Sequence, residues 1–321
     1  MAERIVEVAH PALLKRESCH LVVFQEDGEA GRVPFEELGM LLLDGPGITL
    51  THEVVRSLMV EGGAFVVSDE RHLPCGLMLP IDGHSLHAKT LREQVASSEP
   101  KRKQVWRQIV QAKLASQADV LDWRGGPEAR RAARTIREMI PDVRSGDTSN
   151  REAVAAMLYF PALFGDGFVR ERDELGVNAM LNYGYAVVRA AVARSLVGAG
   201  LHCALGVHHD NQYNGFNLAD DAVEPLRPLV DQHVMTLVLR GEAEDQLTPA
   251  LKRSLLRILT TTVVFDGRPH PILSAMPLYA ASIRRAICEE ARKVQVPVWN
   301  PIKRSRNDLR RISSNVGDGD V

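Results

Sequence analysis

At 321 residues, with 45% hydrophobic and 25% charged side chains, the sequence has the composition of a globular protein long enough for two domains. Its net charge of −2 and pI near 6.6 exclude the overall basic field of a dedicated nucleic-acid binder, so a polyanion would have to be met by local patches. Four scattered cysteines, Cys19, Cys75, Cys203 and Cys288, form no C-x-x-C pair, and neither a signal-peptide core nor eighteen uninterrupted apolar residues is present; a cytoplasmic protein without a membrane span is expected.

From Arg4 to about Met78 short apolar runs alternate with turn residues: "RIVEVA", "HLVVFQ", "RVPF", "GMLLLDGPGITLT", "AFVVSDE" and "GLMLP". Runs rich in Val, Ile and Phe between Gly, Pro and Asp clusters predict strands and hairpins, with one helix inserted at "THEVVRSLMVEGG", where Thr51 stands at the capping position. Beyond about Leu91 the period changes. Trp106, Val110, Leu114, Gln117 and Leu121 recur every three or four positions, which predicts a helix. Further helices are expected at "NREAVAAMLYFPALFG", "NYGYAVVRAAVARSLVGAG" and "RPLVDQHVMTLVLRG", and at "TPALKRSLLRILTTTVV", where Thr248 caps and Pro249 takes the first helical position. The expected fold class is therefore α+β: a small β-rich domain over 1–91, a larger all-α domain over 92–302, and a basic, then Gly-rich tail over 303–321.

Two stretches carry the chemistry. In "DTSNREAVAAMLYFPALFG", Glu152 follows Ser149 by three residues, the spacing of a capping box. In "GVHHDNQYNGFNLADDAVEPLRP", His208 and His209 lie in a turn-like, Asn-rich segment ahead of Asp220, Asp221 and Glu224. On a helix these three acids share a face and repel, although acid at the start of the following helix also favours its dipole. A divalent cation would remove the repulsion. Carboxylates with a histidine and open coordination positions suit Mn²⁺, or Mg²⁺ through carboxylate and water, and such a centre serves phosphodiester chemistry.

Three long motifs in order, "SNREAVAAMLYFPALFG" from Ser149, "NAMLNYGYAVVRA" from Asn178 and "GVHHDNQYNGFNLADDAVEPLRPLVD" from Gly206, resemble the CRISPR-associated integrase/endonuclease of spacer acquisition. The run H-x-N-Q-x-N-x-F-N-x-A-x-D from His209 is similar to the type II version of that family. The resemblance implies a metal triad of Glu152, His209 and Glu224, with Asp221 as a secondary ligand or an organiser and His208 as a neighbour. It implies a β-domain that dimerises and an α-helical catalytic domain. It further implies a reaction that joins the 3′-hydroxyl ends of a short double-stranded protospacer to the CRISPR repeat by transesterification. The implied partners are a second copy in a homodimer, the smaller acquisition protein in a heterohexamer, and the RNA-guided effector nuclease.

Candidate phosphate contacts are Lys101 to Lys103, Arg130 to Arg134, Arg170 with Arg172, and Lys303 to Arg306. Two alternatives compete with the integrase. One is a DNA-binding scaffold of the acquisition complex with little chemistry of its own. The other, a metallohydrolase of small phosphate esters, is disfavoured because the chain has no Gly-rich phosphate loop.

Overall fold

The computed structural model describes residues 4–81, 83–171, 175–290 and 293–299. The chain opens with strands β1 (Arg4–Val8), β2 (Ala12–Glu17), β3 (His20–Gln25), β4 (Gly28–Pro34), β5 (Leu38–Leu43) and β6 (Ile48–Leu50). Helix α1 (His52–Val60) and strands β7 (Ala64–Ser68) and β8 (Pro74–Met78) follow. They make two four-stranded sheets, ordered β1-β5-β7-β8 and β4-β3-β2-β6. Strand β2 was not among the sequence expectations; its "ALLKRE" turns from buried to exposed part-way along, so no alternation marks it.

Strand β5, "LGMLLL", is buried along its whole length because it serves two cores. Successive side chains point to opposite faces of a sheet. Leu41 and Leu43 therefore pack with Leu14, Leu21, Val54 and Leu58 inside the β-rich region, while Met40 and Leu42 join the core of the helical region. The two regions also meet at a fully buried ion pair between Lys252 and Asp44, with His72 Nδ1 on the other Asp44 oxygen at 2.9 Å.

The helical region comprises α2 (His87–Ala96), α3 (Glu99–Arg124), α4 (Pro127–Met139), α5 (Arg151–Phe164), α6 (Val177–Gly198), α7 (Asn217–Val223), α8 (Arg227–Arg240) and α9 (Pro249–Leu256). A hairpin of β9 (Thr262–Phe265) and β10 (Arg268–Pro271) precedes α10 (Ile272–Cys288). Strands thus give way to helices between Met78 and His87, and Leu91 lies inside α2. The predicted positions on α3, Trp106, Val110, Leu114, Gln117 and Leu121, are all buried.

One helix is shorter than expected. Thr248 does cap α9, accepting the Leu251 N–H at 3.4 Å, but the helix ends at Leu256 and "TTTVV" enters the hairpin. The helical region is accordingly not all-α. β-branched residues favour the strand, and Asp266 and Gly267, with φ of 50° and 75°, supply the two left-handed positions of a tight hairpin turn. Residues 303–321 and Arg172 lie outside the described residues.

Candidate functional site

Glu152 stands in the first turn of α5, where the helix dipole favours a carboxylate. The expected capping box is not formed. Asp147 caps this helix instead, accepting the backbone N–H groups of Arg151 at 2.9 Å and Glu152 at 3.0 Å. The Ser149 hydroxyl is buried without a hydrogen-bond partner among the described residues. Relieved of capping, the Glu152 carboxylate reaches α3, where Lys113 Nζ donates to its Oε1 at 2.6 Å.

Glu224 begins a 3-10 turn, Glu224–Leu226, that joins α7 to α8. It is 4% exposed and grips two cations, accepting from Lys113 Nζ on Oε2 and from Arg227 Nη1 on Oε1 at 2.8 Å. Burial pushes its carboxyl up, but the charges and hydrogen bonds of Lys113 and Arg227 prevail and hold it down at about 2. Lys113 thereby ties Glu152 and Glu224 together.

His209 sits in the loop between α6 and α7, and Asp221 on α7 organises that loop. The fully buried Asp221 carboxylate accepts the N–H groups of Val207 at 2.6 Å, His208 at 3.0 Å and His209 at 3.1 Å. His209 Nδ1 lies 2.7 Å from the same carboxylate, an acceptor, so the hydrogen-bond network assigns the proton to Nδ1. Hydrogen bonding to Asp221 raises the imidazole pKa against the opposing effect of burial, and the nearby charges of Asp221 and Glu224 add to the rise. In neutral His209 the other ring nitrogen, Nε2, keeps its lone pair for a ligand.

The loop leaves no room for error. A side chain at Gly206 would run into the His209 carbonyl and the Asp221 carboxylate. Asn211, Asn214 and Asn217 stitch the rest: Asn217 donates to the carbonyls of Ala204 at 3.1 Å and Asn211 at 3.0 Å and accepts from Asn214 Nδ2 at 3.2 Å. The recurring asparagines of the motif are therefore the loop's internal scaffold. His208 lies flat on Trp106, with ring centroids 4.2 Å apart and planes within 1°, and His209 approaches the same indole edge-on at 6.0 Å. Trp106 and Lys113 lie two turns apart on one face of α3, so a single helix supports the histidine loop and the glutamate pair.

The three acids expected to crowd around a cation are instead separated by partners from the chain itself. Asp220 pairs with Arg189 and accepts from Asn214 Nδ2 at 2.6 Å; Asp221 holds the loop; Glu224 takes Lys113 and Arg227. Among the described residues no three His, Cys, Asp or Glu side chains converge into a ready-made metal cage. Sequence reasoning missed Lys113, Arg189 and Arg227. Lys113 had a signal, a charge beside the buried positions of a long central helix, where lysine is rare unless paired.

The basic patches differ in availability. Arg130, Arg131 and Arg134 are exposed on α4. Lys103 pairs with Glu99 at 2.6 Å, and Lys101 donates to the Glu289 carbonyl. Arg170 is spent internally, donating to Asn178 Oδ1 at 2.9 Å and Asn182 Oδ1 at 2.6 Å, and burial lowers its pKa.

Residues 7–257 match the family described as CRISPR associated protein Cas1. A CRISPR-associated endonuclease Cas1 of Neisseria meningitidis is 39% identical over 283 residues, 88% of this chain and 92% of that protein. The chain belongs to the Cas1 family. Two solved structures share the Cas1-like fold at low identity. A casposase bound to its integration product superposes with a TM-score of 0.77 at 19% identity, covering 98% of this chain and 99% of the casposase. A Cas6-RT-Cas1–Cas2 complex gives 0.73 at 16% identity, covering 94% of this chain and 36% of that one. No helix among the described residues is long and apolar enough to cross a membrane.

Proposed function

We propose that this Cas1-family chain is a metal-dependent DNA integrase and endonuclease of CRISPR adaptation. The observation that carries the reading is the pair Glu152 and Glu224, already gathered around one positive charge, beside a His209 whose Nδ1 is tied to Asp221. Two carboxylates and an imidazole nitrogen form a donor set that suits Mn²⁺, and Mg²⁺ with added water. Glu152, Glu224 and His209 Nε2 would hold the ion, with Asp221 as organiser, since each Asp221 oxygen already accepts hydrogen bonds. When bound, the ion would polarise the attacked phosphate and ease deprotonation of the attacking hydroxyl. The chain's own groups orient the imidazole, keep the Glu224 carboxylate ionised and present α4 arginines to the DNA backbone.

In the reaction a protospacer 3′-oxygen bonds to a repeat phosphorus while the bond from that phosphorus to the repeat 3′-oxygen breaks. One phosphodiester replaces another, so no external energy source is required. The Neisseria relative's name, endonuclease, and the casposase's integration product support this chemistry, and the complex carrying Cas1 with Cas2 supports assembly with the smaller acquisition protein. Residues 1–91 are proposed as the dimerisation domain and 92–302 as the catalytic domain of a heterohexamer acting on DNA in the cytoplasm. The effector nuclease is proposed as a further partner on the strength of the type II resemblance.

The test is strand transfer of a short duplex into a supercoiled plasmid bearing the repeat, with the smaller partner and Mn²⁺. Glu152→Ala, His209→Ala and Glu224→Ala should each reduce product by at least about 100-fold, in the range typical of losing a catalytic group. Branched DNA bound without nicking or joining by the wild-type protein would instead favour a scaffold.

A further inference from the structure

We infer that Lys113 is a resident counter-cation of the metal site, a positioning residue that holds Glu152 and Glu224 in register before the divalent ion enters and competes with that ion for their oxygens. The inference rests on the proposed reading of the site. Lys113 projects from the middle of α3, and its side chain is 10% exposed. Its Nζ donates to Glu152 Oε1 at 2.6 Å and to Glu224 Oε2, carboxylates delivered by α5 and by the turn before α8. Arg227 takes the second oxygen of Glu224 at 2.8 Å and lies over the Tyr185 ring, so the bridge between the two glutamates is made by Lys113.

The arrangement solves a problem that any preformed carboxylate site meets. Two carboxylates brought together without a cation repel, and burial magnifies the repulsion. An ammonium on a flexible stem neutralises them, and it can withdraw because it is a point charge without the planar, two-pronged grip of arginine. Divalent binding then becomes an exchange: the ion gains the glutamate oxygens that Lys113 gives up.

The exchange gives opposite effects on the metal-free and metal-bound proteins. Lys113→Met keeps the apolar stem and removes the charge. In excess chelator this variant should melt several degrees below wild type, because the buried Glu224 carboxylate and the partly buried Glu152 carboxylate lose their shared partner. Titrated calorimetrically with MnCl₂, however, it should bind about 10-fold or more tightly than wild type, and its melting temperature should rise further on saturation. Lys113→Arg, which keeps the charge, should restore the metal-free melting temperature and show no tightening.

A merely structural lysine predicts a different pattern: lower metal-free stability with Mn²⁺ affinity unchanged or weakened. That result would overturn the inference, as would equal tightening in the arginine variant. If Lys113→Met does not fold, Lys113→Gln is measured in its place against the same criteria. Glu152→Ala separates the two levels of the argument. Wild-type Mn²⁺ binding that Glu152→Ala abolishes but Lys113→Met does not tighten removes the role of Lys113 alone. Wild-type binding absent, or indifferent to Glu152→Ala, removes the metal site and this inference with it.

Discussion

Asp221 shows how one side chain fixes a site without acting in it. Its two oxygens accept three backbone N–H groups and the His209 ring, so the imidazole direction and the loop path are set together. An amide in its place offers one acceptor oxygen and one NH₂ group, and the NH₂ group would face N–H donors. Asp221→Asn should therefore lower metal-dependent strand transfer by about 10–100-fold, the usual consequence of losing an outer-sphere partner of a ligand. Amide exchange at 207–209 should accelerate in the same variant, and unchanged exchange would show that the carboxylate does not hold the loop. Sequence spacing placed His209, Asp221 and Glu224 in one stretch, yet it could not assign their duties. Three acids within five positions read alike until each is seen with its partner.

At the scale of elements, α8 and α9 are joined by His233, whose Nε2 lies 3.2 Å from Ser254 Oγ. Burial pushes this imidazole down to about 4, against 6.5 in the unfolded chain. Between those values the unfolded state binds the proton more readily, so stability is fully present above about 6.5 and is lost as pH falls toward 4. His233→Gln should flatten that slope in urea unfolding measured from pH 7 to pH 4; a parallel slope would show that the ring is not held neutral. The hairpin β9–β10 marks a limit of element prediction. Helical spacing in "LKRSLLRIL" runs directly into "TTTVV" without Gly or Pro between them, and the deciding signal, Asp266-Gly267, lies beyond both.

In the whole molecule the β-rich and helical regions are bound through shared core and a buried charge pair. Met40 and Leu42 of β5 enter the helical core, and Asp44 immediately beyond that strand meets Lys252 of α9. Breaking a buried pair from one side leaves an unpaired charge, at a cost of about 3–5 kcal/mol. Lys252→Met should lower the unfolding free energy by about that amount, and adding Asp44→Asn should recover part of it, because the orphaned charge is then gone. Additive losses in the double variant would count against coupling between these two side chains. Neither residue stood out in the sequence: a pair 208 positions apart leaves no local trace.

The sequence by itself determined the class of fold, most of the strands and helices, and the motifs that resemble one family, because hydrophobic period, turn residues and motif spacing are local properties of the chain. It brought Glu152, His209 and Glu224 into question for the same reason. Tertiary structure alone decided that Asp147 rather than Ser149 caps α5, that Trp106 floors the histidine loop, and that Lys113 joins the two glutamates. The Asp147 cap is local, but Ser149 offered a capping spacing as well, and the fold chose between them. The Trp106 and Lys113 contacts connect α3 with the histidine loop, α5 and the turn before α8 across long stretches of chain, and only packing brings such distant groups together.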